Sequence, residues 1–321
     1  MFKYVLKRIG LMIVTFLIIM ILCFVMIKSL PLPNQEGLTV AQTEAKIARM
    51  KALGYYEPIW TQLWIYFKNI VTKWDWGTSW FISYNVNAWD VIFTRLPPTM
   101  LINAYSILFS IPLGILLGIV AALNKNKWPD NLISVLVILF VSVPSFVYAF
   151  LVQYLFCYKL SWFPLTMKSL SDAGGSYWSW TMFVSMVPAI MSLSFGTVAG
   201  LTRFVRAELT DCLTEDYMIL AKAKGLTNAQ ATFRHALNNS MVPVLPSIIS
   251  EFVAIVGGSL IIENIFGVPG VGSLFINAIN SKDYDVYMVC NAFYISIGLL
   301  AGILVDLSYG FIDPRIRMGA R

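Results

Sequence analysis

The sequence predicts an all-α integral membrane protein with six transmembrane helices and a long segment outside the membrane after the first helix. Two features of composition lead to this fold class. Hydrophobic residues make up 58% of the 321 residues and charged residues only 12%, whereas soluble domains carry about 25% charged residues. Mean hydropathy is correspondingly high, at +0.72. Several apolar runs also reach the ~20 residues that a helix needs to cross a bilayer.

The net charge of +6 does not indicate nucleic-acid binding. The 23 Lys and Arg residues are scattered around the hydrophobic segments and form no basic face. Lys and Arg collect on the cytoplasmic side of membrane proteins, so topology explains the charge better. The four cysteines have no C-x-x-C spacing, and a single histidine, His235, cannot form a metal site. We therefore predict no bound metal or cofactor.

The first span is predicted from a basic start followed by an apolar run. Lys3, Lys7 and Arg8 precede the run from Ile9 to Ile27, and no small-residue cleavage pattern follows it. A signal peptide has a shorter apolar core and such a cleavage site. Residues 1–30 are therefore predicted to be a cytoplasmic N-terminus and an uncleaved first helix.

Residues 31–95 are predicted to lie outside the membrane and to be partly helical. Thr39 and Gln42 have capping-box spacing and Gly54 is a candidate C-cap, so the sequence predicts a helix over Val40–Leu53. The rest of the segment is rich in aromatic residues, which concentrate at membrane–water interfaces. Sealing of the outer face is the favoured interpretation, and a landing surface for an external partner is the alternative. Six tryptophans belong to it: Trp60, Trp64, Trp74, Trp76, Trp80 and Trp89.

Residues 96–321 are predicted to form a core of five further spans with a cytoplasmic C-terminus. Lys and Arg collect in the segments that this topology places inside, as the positive-inside rule requires. Pro144 interrupts the second of these spans, where a bend beside a passage and a passive kink both remain open. The five spans are Pro97–Leu123, Asn131–Tyr158, Thr181–Leu201, Met241–Ile262 and Val286–Phe311.

The sequence contains no motif for chemistry of its own. It has no G-x-x-x-x-G-K-[ST] phosphate loop and no G-x-S-x-G motif, so any active transport takes its energy from a partner or an ion gradient. Ionisable residues are scarce near the centres of the spans, and Glu251, in the middle of the fifth span, is the exception. An unpaired carboxylate in hydrocarbon is costly, so Glu251 should face a cavity or a partner group. Lining a passage and forming a structural hydrogen-bonded pair are equally good interpretations. Candidate passage residues are Glu251, Ser142, Pro144 and Ser194.

A polar interruption from Arg203 to Asn239 separates the fourth and fifth spans. We predict two short helices around a glycine turn, with Asp216 capping the first helix and Gly225 ending it. Lys222 and Lys224 complement the C-terminal end of that helix. Small and apolar residues between the charges favour docking into a groove on another protein, although a solvated loop also explains the charges.

Motifs throughout the chain resemble the membrane-spanning permease subunits of binding-protein-dependent ABC importers. The similarity is to the oligopeptide/dipeptide/nickel group, and within it to the first of the paired permeases. The motifs are Leu53-Gly54 with Pro58 and Gln62, Asp75-Trp76-Gly77-Thr78-Ser79, Arg95-Leu96-Pro97-Pro98-Thr99, Val143-Pro144-Ser145-Phe146, Arg203 and Arg206, Asp216-Tyr217 through Gly225-Leu226, Arg234-His235-Ala236-Leu237, Gly257-Gly258-Ser259 with Glu263, Pro269-Gly270-Val271-Gly272, Asp283-Tyr284, Asp306 and Asp313-Pro314-Arg315.

The resemblance implies the type I importer permease fold in a bacterial cell membrane, with no enzymatic activity in this chain. It implies a second permease, two cytoplasmic ATPases that bind ATP and Mg, an external substrate-binding protein and a peptide substrate. Ile219 and Leu220 replace the Glu and first Ala of the general coupling-helix pattern. The implied ATPase-coupling residues are Glu215, Asp216, Tyr217, Ala221, Lys222, Lys224 and Gly225.

Other functions compete with peptide import. The same machinery could import nickel or another small solute, because the external binding protein selects the cargo. An ion-coupled secondary carrier is disfavoured by the scarcity of intramembrane charges. An intramembrane enzyme is disfavoured by the lack of a catalytic set.

Overall fold

A computed structural model describes residues 2–30, 39–52, 54–255 and 257–312 of the chain. Thirteen α-helices and one two-stranded antiparallel ribbon are present in these residues. The helices are α1 (Phe2–Lys28), α2 (Val40–Ala52), α3 (Ile59–Lys73), α4 (Ala88–Leu123), α5 (Trp128–Ser142), α6 (Ser145–Val152), α7 (Trp180–Thr214), α8 (Asp216–Ala223), α9 (Asn228–Ala231), α10 (Leu237–Ala254), α11 (Leu260–Ile265), α12 (Val271–Asn280) and α13 (Tyr284–Ile312). The strands are β1 (Thr78–Ser79) and β2 (Val86–Asn87), and π-helical turns cover Gln153–Lys159 and Thr232–Ala236.

Four of these helices are long and apolar enough to cross a membrane, where six spans were predicted. They are α1, α4, α7 and α13, and the described residues contain a fifth span if α5 and the helix that follows it count as one. Those two segments meet at Pro144 with a bend of 104°. The predicted span Met241–Ile262 is divided between α10 and α11.

The helix that contains the fourth predicted span is longer than that span. The predicted span ends at about Leu201, but α7 continues to Thr214. Thr202, Val205 and Leu209 are buried at helical spacing, so an apolar stripe holds the helix together beyond the hydrocarbon-like run. The first twelve residues of the polar interruption, 203–214, therefore belong to α7 and do not form a loop.

The chain divides into two compact units. The first contains residues 1–97 and 269–300 and includes the segment after α1. Its helix α2 starts as predicted, because the Thr39 N–H donates to Gln42 Oε1 (2.9 Å) and the Gln42 N–H donates to Thr39 Oγ1 (3.4 Å). Gly54 has a φ of +70°, which fits the predicted cap. The predicted final helical residue, Leu53, lies outside the described residues.

A buried carboxylate organises the loop around the small β-ribbon of the first unit. Asp283 Oδ2 accepts a hydrogen bond from Ser79 Oγ at 2.7 Å. The same oxygen accepts from the backbone N–H groups of Trp80, Phe81 and Ile82 at 3.0–3.3 Å. Such a nest of N–H donors stabilises a negative charge without a basic partner. The tryptophans of this segment divide, since Trp76 is buried while Trp60, Trp64 and Trp74 are exposed.

The second unit contains residues 98–268 and 301–321 and is built around α7. Helices α5, α6 and α10 all pack on α7. The bend at Pro144 is filled by an aromatic cluster, in which Phe140 stacks on Phe195 with ring centroids 4.7 Å apart and Tyr148 meets Phe195 edge-on. The Asp313-Pro314-Arg315 motif and the rest of the C-terminus that was predicted to be cytoplasmic lie outside the described residues.

Candidate functional site

The second unit contains two candidate sites, which we name the coupling turn (residues 215–227) and the α7–α10 groove. In the coupling turn, α8 ends before Gly225, whose φ is +87°. The Gly225 N–H donates to the Lys222 carbonyl at 2.9 Å, and a glycine adopts this left-handed conformation without strain. Thr227 and Gln230 then form a reciprocal capping box that starts α9. The predicted helix–glycine–helix arrangement is present.

The start of α8 differs from the prediction. Glu215 holds the N-cap position, without a side-chain capping hydrogen bond, and Asp216 is the first helical residue. The expected capping by Asp216 was therefore wrong, because this residue has already entered the helix. Its carboxylate still lies in the first turn, where the helix dipole favours negative charge.

The two faces of α8 have different surroundings. Met218 and Ala221 are buried in a cluster with Leu209 and Ala236. Tyr217 is half-buried, and burial raises the pKa of its phenol, which therefore stays neutral near pH 7. The other predicted coupling residues are exposed: Glu215, Asp216, Lys222, Lys224 and Gly225.

The predicted coupling residues do not include two exposed apolar side chains on the outer face of α8. Ile219 is 67% exposed and Leu220 is 57% exposed. Their outward position follows from the spacing of the buried residues. Met218 and Ala221 are three residues apart and both face inward, so the two residues between them face outward on a helix. An exposed apolar pair between charges is typical of a surface that a partner covers.

The α7–α10 groove is a cavity of about 630 Å³. Small and polar residues make up most of its wall, and two side chains of opposite charge, Arg203 and Glu251, also line it. The lining residues are Gly196, Thr197, Gly200, Leu201, Arg203, Phe204 and Ala207 on α7, and Ser247 and Glu251 on α10. A cavity of this size matches the range of sites for small molecules.

Neither charged side chain of the groove has an ionic or hydrogen-bonded partner in the part of the chain that the structure describes. Arg203 is exposed and Glu251 is half-buried. Because a carboxylate in an apolar helix is stable only beside water, a cation or a donor, Glu251 needs the open groove. The groove can therefore offer one negative and one positive charge to a solute.

The structure does not bring the four predicted passage residues together. Glu251 lines the groove, but Ser194 is fully buried, where its hydroxyl lies 3.1 Å from that of Ser106 and donates to the Ile190 carbonyl at 2.7 Å. Ser142 and Pro144 are exposed at the bend between α5 and α6, and neither lines the groove.

A second pair of opposite charges in the same unit was not anticipated from the sequence. Arg206 donates to both carboxylate oxygens of Asp130, at 2.8 Å through Nη2 and closer through Nε. The Asn126 N–H also donates to Asp130 at 2.8 Å, and the Asp130 side chain is only 2% exposed. Seventy-six residues separate the two partners, so no local spacing could reveal the pair.

No group of three or more His, Cys, Asp or Glu side chains suited to a metal ion occurs within the described ranges. The chemistry that these sites offer is recognition by charge and by apolar contact. A groove for a solute and an apolar helix for a partner are the two functions that the geometry supports.

Comparison with known proteins identifies the family. The profile described as "Binding-protein-dependent transport system inner membrane component" matches residues 114–318. The chain is 33% identical over 318 residues to the dipeptide transport system permease protein DppB of Lactococcus lactis, covering 99% of this chain and all of the relative. It is 34% identical to DppB of Bacillus subtilis and 30% identical to the glutathione transport system permease protein GsiC of Escherichia coli K12, covering 99% of both chains in each case. The chain belongs to the family of binding-protein-dependent transport system inner membrane components.

Proposed function

We propose that this chain is one of two permease subunits of an ATP-driven importer that carries short peptides across a bacterial cell membrane. The observation that carries the proposal is full-length similarity to permeases named for dipeptides and for glutathione, both of which are short peptides. An external binding protein delivers the peptide, and a second, similar permease completes the passage.

The topology that we propose has six spans with both termini in the cytoplasm. The first span (1–30) precedes an extracytoplasmic segment (31–95), and the other five spans belong to the core (96–321). Helix α10 would serve as the fifth span, since its 18 residues extend about 27 Å at 1.5 Å per residue. This length is close to the ~30 Å of bilayer hydrocarbon.

The coupling turn is the proposed contact with a partner ATPase, which binds the ATP and Mg. Ile219 and Leu220 would enter an apolar groove on the ATPase, as amphipathic helices do in other complexes. The exposed charges Asp216, Lys222 and Lys224 would fix the orientation of α8, since charge complementarity adds specificity. Movement of α8 with the ATPase would then reach α7 through the shared cluster of Met218 and Leu209.

The passage is the second part of the proposal, and Glu251 is its main residue in this chain. The groove supports this role by its volume, its small side chains and its unpaired charges. Ser142 and Pro144, at the bend between α5 and α6, remain proposed passage residues. Alternating access would come from rocking of the helices between two states that ATP and peptide stabilise differently.

The test is uptake by the assembled complex in sealed vesicles. The chain is purified with its second permease, two ATPases and binding protein, and accumulation of labelled dialanine and of Ni²⁺ is measured with and without ATP. We expect ATP-dependent accumulation of dialanine. Accumulation of Ni²⁺ alone, or uptake driven by a proton or sodium gradient without ATP, would reject the proposal in favour of the competing functions.

A matched pair of variants tests the coupling turn separately. Leu220→Asp places a carboxylate in the proposed apolar contact, which costs a few kcal/mol, so peptide-stimulated ATP hydrolysis should fall at least about tenfold. Val71→Asp introduces the same carboxylate in place of an apolar side chain on α3 that is 82% exposed, and it should leave hydrolysis unchanged. Normal stimulation in Leu220→Asp would exclude α8 as the contact.

A further inference from the structure

We infer that the α7–α10 groove holds a peptide by its two charged ends, with Glu251 binding the terminal ammonium and Arg203 the terminal carboxylate. This inference rests on the proposed function and specifies what the passage recognises. It assigns Arg203, which the sequence placed in the polar interruption, to the passage. A solute with one positive and one negative end is the chemical class that the two unpaired charges fit.

The packing of α7 against α10 shows that the two helices run antiparallel. Leu209 near the end of α7 shares a cluster with Ala236 just before α10. Earlier on α7, Leu201 and Val205 share a cluster with Val244, which lies further along α10. Rising residue numbers on one helix therefore meet falling numbers on the other.

This register places the two charges at different levels of the groove. Arg203 lies between Leu201 and Val205, and hence near the level of Val244. Glu251 lies seven residues beyond Val244, which is about 10 Å along the helix axis at 1.5 Å per residue. The charges therefore lie at two depths of one groove.

The distance between these levels matches a short peptide. An extended chain spans roughly 3.3–3.6 Å per residue, so about three residues cover 10 Å. Charge-assisted hydrogen bonds at both ends would bind such a peptide without reading its side chains. The groove should therefore favour free termini and tolerate varied sequences.

The glycines of the groove leave room for this occupant. A Cβ atom added at Gly200 would have no neighbouring atom within 4 Å, and one added at Gly196 would meet only the Tyr148 hydroxyl, at 3.2 Å. The groove is therefore open at the positions where a side chain would narrow it.

A helix of the second permease is the other occupant that small residues could suit, because G-x-x-x-G pairs promote helix contact in membranes. Such a helix would bury Arg203 and Glu251, and neither has an ionic or hydrogen-bonded partner among the residues that the structure describes. Burial of unpaired charges is strongly unfavourable, so the charges favour a zwitterionic solute in the groove.

The experiment compares three forms of trialanine in the vesicle uptake assay: free termini, an acetylated N-terminus and an amidated C-terminus. Glu251→Gln should lower uptake of the free peptide on the order of tenfold, relative to wild type, because one charge-assisted bond is lost. Uptake of the acetylated peptide, which has no ammonium group, should fall by no more than about twofold. Arg203→Gln should show the same contrast between the free and amidated peptides.

Control variants separate the outcomes. Asp211→Asn removes an exposed charge from α7 outside the groove, and it should change all three uptakes by the same factor. Arg203→Lys keeps the positive charge and should restore most of the preference for a free carboxylate.

Equal losses for all three peptides in Glu251→Gln and Arg203→Gln would overturn the inference while leaving peptide import intact. Failure of these variants to assemble with the second permease would also overturn it and would identify the groove as a seat for a helix. Lack of peptide uptake by the wild-type complex would instead reject the proposed function.

Discussion

Arg203 and Arg206 lie one helical turn apart on α7 and have opposite environments. Arg206 forms an ion pair with the buried Asp130, whereas Arg203 lines an open groove and has no such partner among the described residues. The two acids differ in the same way. Asp130 accepts hydrogen bonds from Arg206 and from the Asn126 N–H, whereas Glu251 has no such partner in the described ranges. A charge in an apolar helix thus either stabilises the fold through a fixed partner or remains available to a solute.

The largest expected difference is in stability. Arg206→Gln leaves the Asp130 carboxylate buried without its cation, and we expect a loss of roughly 2–3 kcal/mol, below the full cost for a buried pair because the Arg206 side chain is 32% exposed. Arg203→Gln should change stability by less than about 0.5 kcal/mol. Thermal unfolding of the purified complex measures both variants. Equal destabilisation would show that the two arginines do not differ in role.

Glycines on α4 and on α7 in the same unit sharpen the comparison. A Cβ atom at Gly118 on α4 would lie 2.7 Å from Val205 Cβ, and one at Gly114 would lie 2.8 Å from Leu201 Cβ. These glycines allow α4 to approach α7 closely. Gly200, in contrast, faces the groove.

Single methyl groups test that difference. Gly118→Ala should destabilise the complex by about 1–2 kcal/mol, because it overpacks the contact between α4 and α7. Gly200→Ala should stay within about 0.5 kcal/mol of wild type, since its methyl group has open space. The measurement is again thermal unfolding. A larger loss in Gly200→Ala would mean that the groove is a packed interface in the assembled complex.

The smallest expected effect concerns Ser194, which was predicted as a passage residue and is buried. Ser194→Ala removes its hydrogen bonds to Ser106 and Ile190 and should cost about 0.5–1.5 kcal/mol. Because the side chain does not line the groove, the uptake ratio of free to acetylated trialanine should be unchanged. A changed ratio in the uptake assay would return Ser194 to the passage.

The sequence predicted the helical membrane class, the capping box at Thr39, the interruption at Pro144 and the glycine turn at Gly225. Each of these depends on composition or on residues close together in the chain. The final turns of α7, residues 203–214, were missed because their polarity indicated a loop. In the structure, packing of Val205 and Leu209 stabilises further turns although the opposite face is polar.

The candidate sites were predictable to different degrees. The coupling turn was located from its own sequence, since capping, helix and glycine signals are local. Its inner and outer faces were not distinguished, because the burial of Ala221 depends on a cluster with Ala122 and Ala236 from distant parts of the chain. Of the residues that line the groove, only Glu251 was predicted from the sequence as a passage residue. Nothing in the sequence relates Glu251 to Arg203.

The sequence by itself determined the chemical class of each element: which segments are apolar, where a helix starts, and where a left-handed residue is needed. These properties follow from hydrophobic burial and backbone geometry acting over a few residues. Only the tertiary structure decided that Arg206 is neutralised by Asp130 and that Arg203 shares a groove with Glu251. Two charges one turn apart look alike in sequence, and the helices packed beside them determine whether each has a partner.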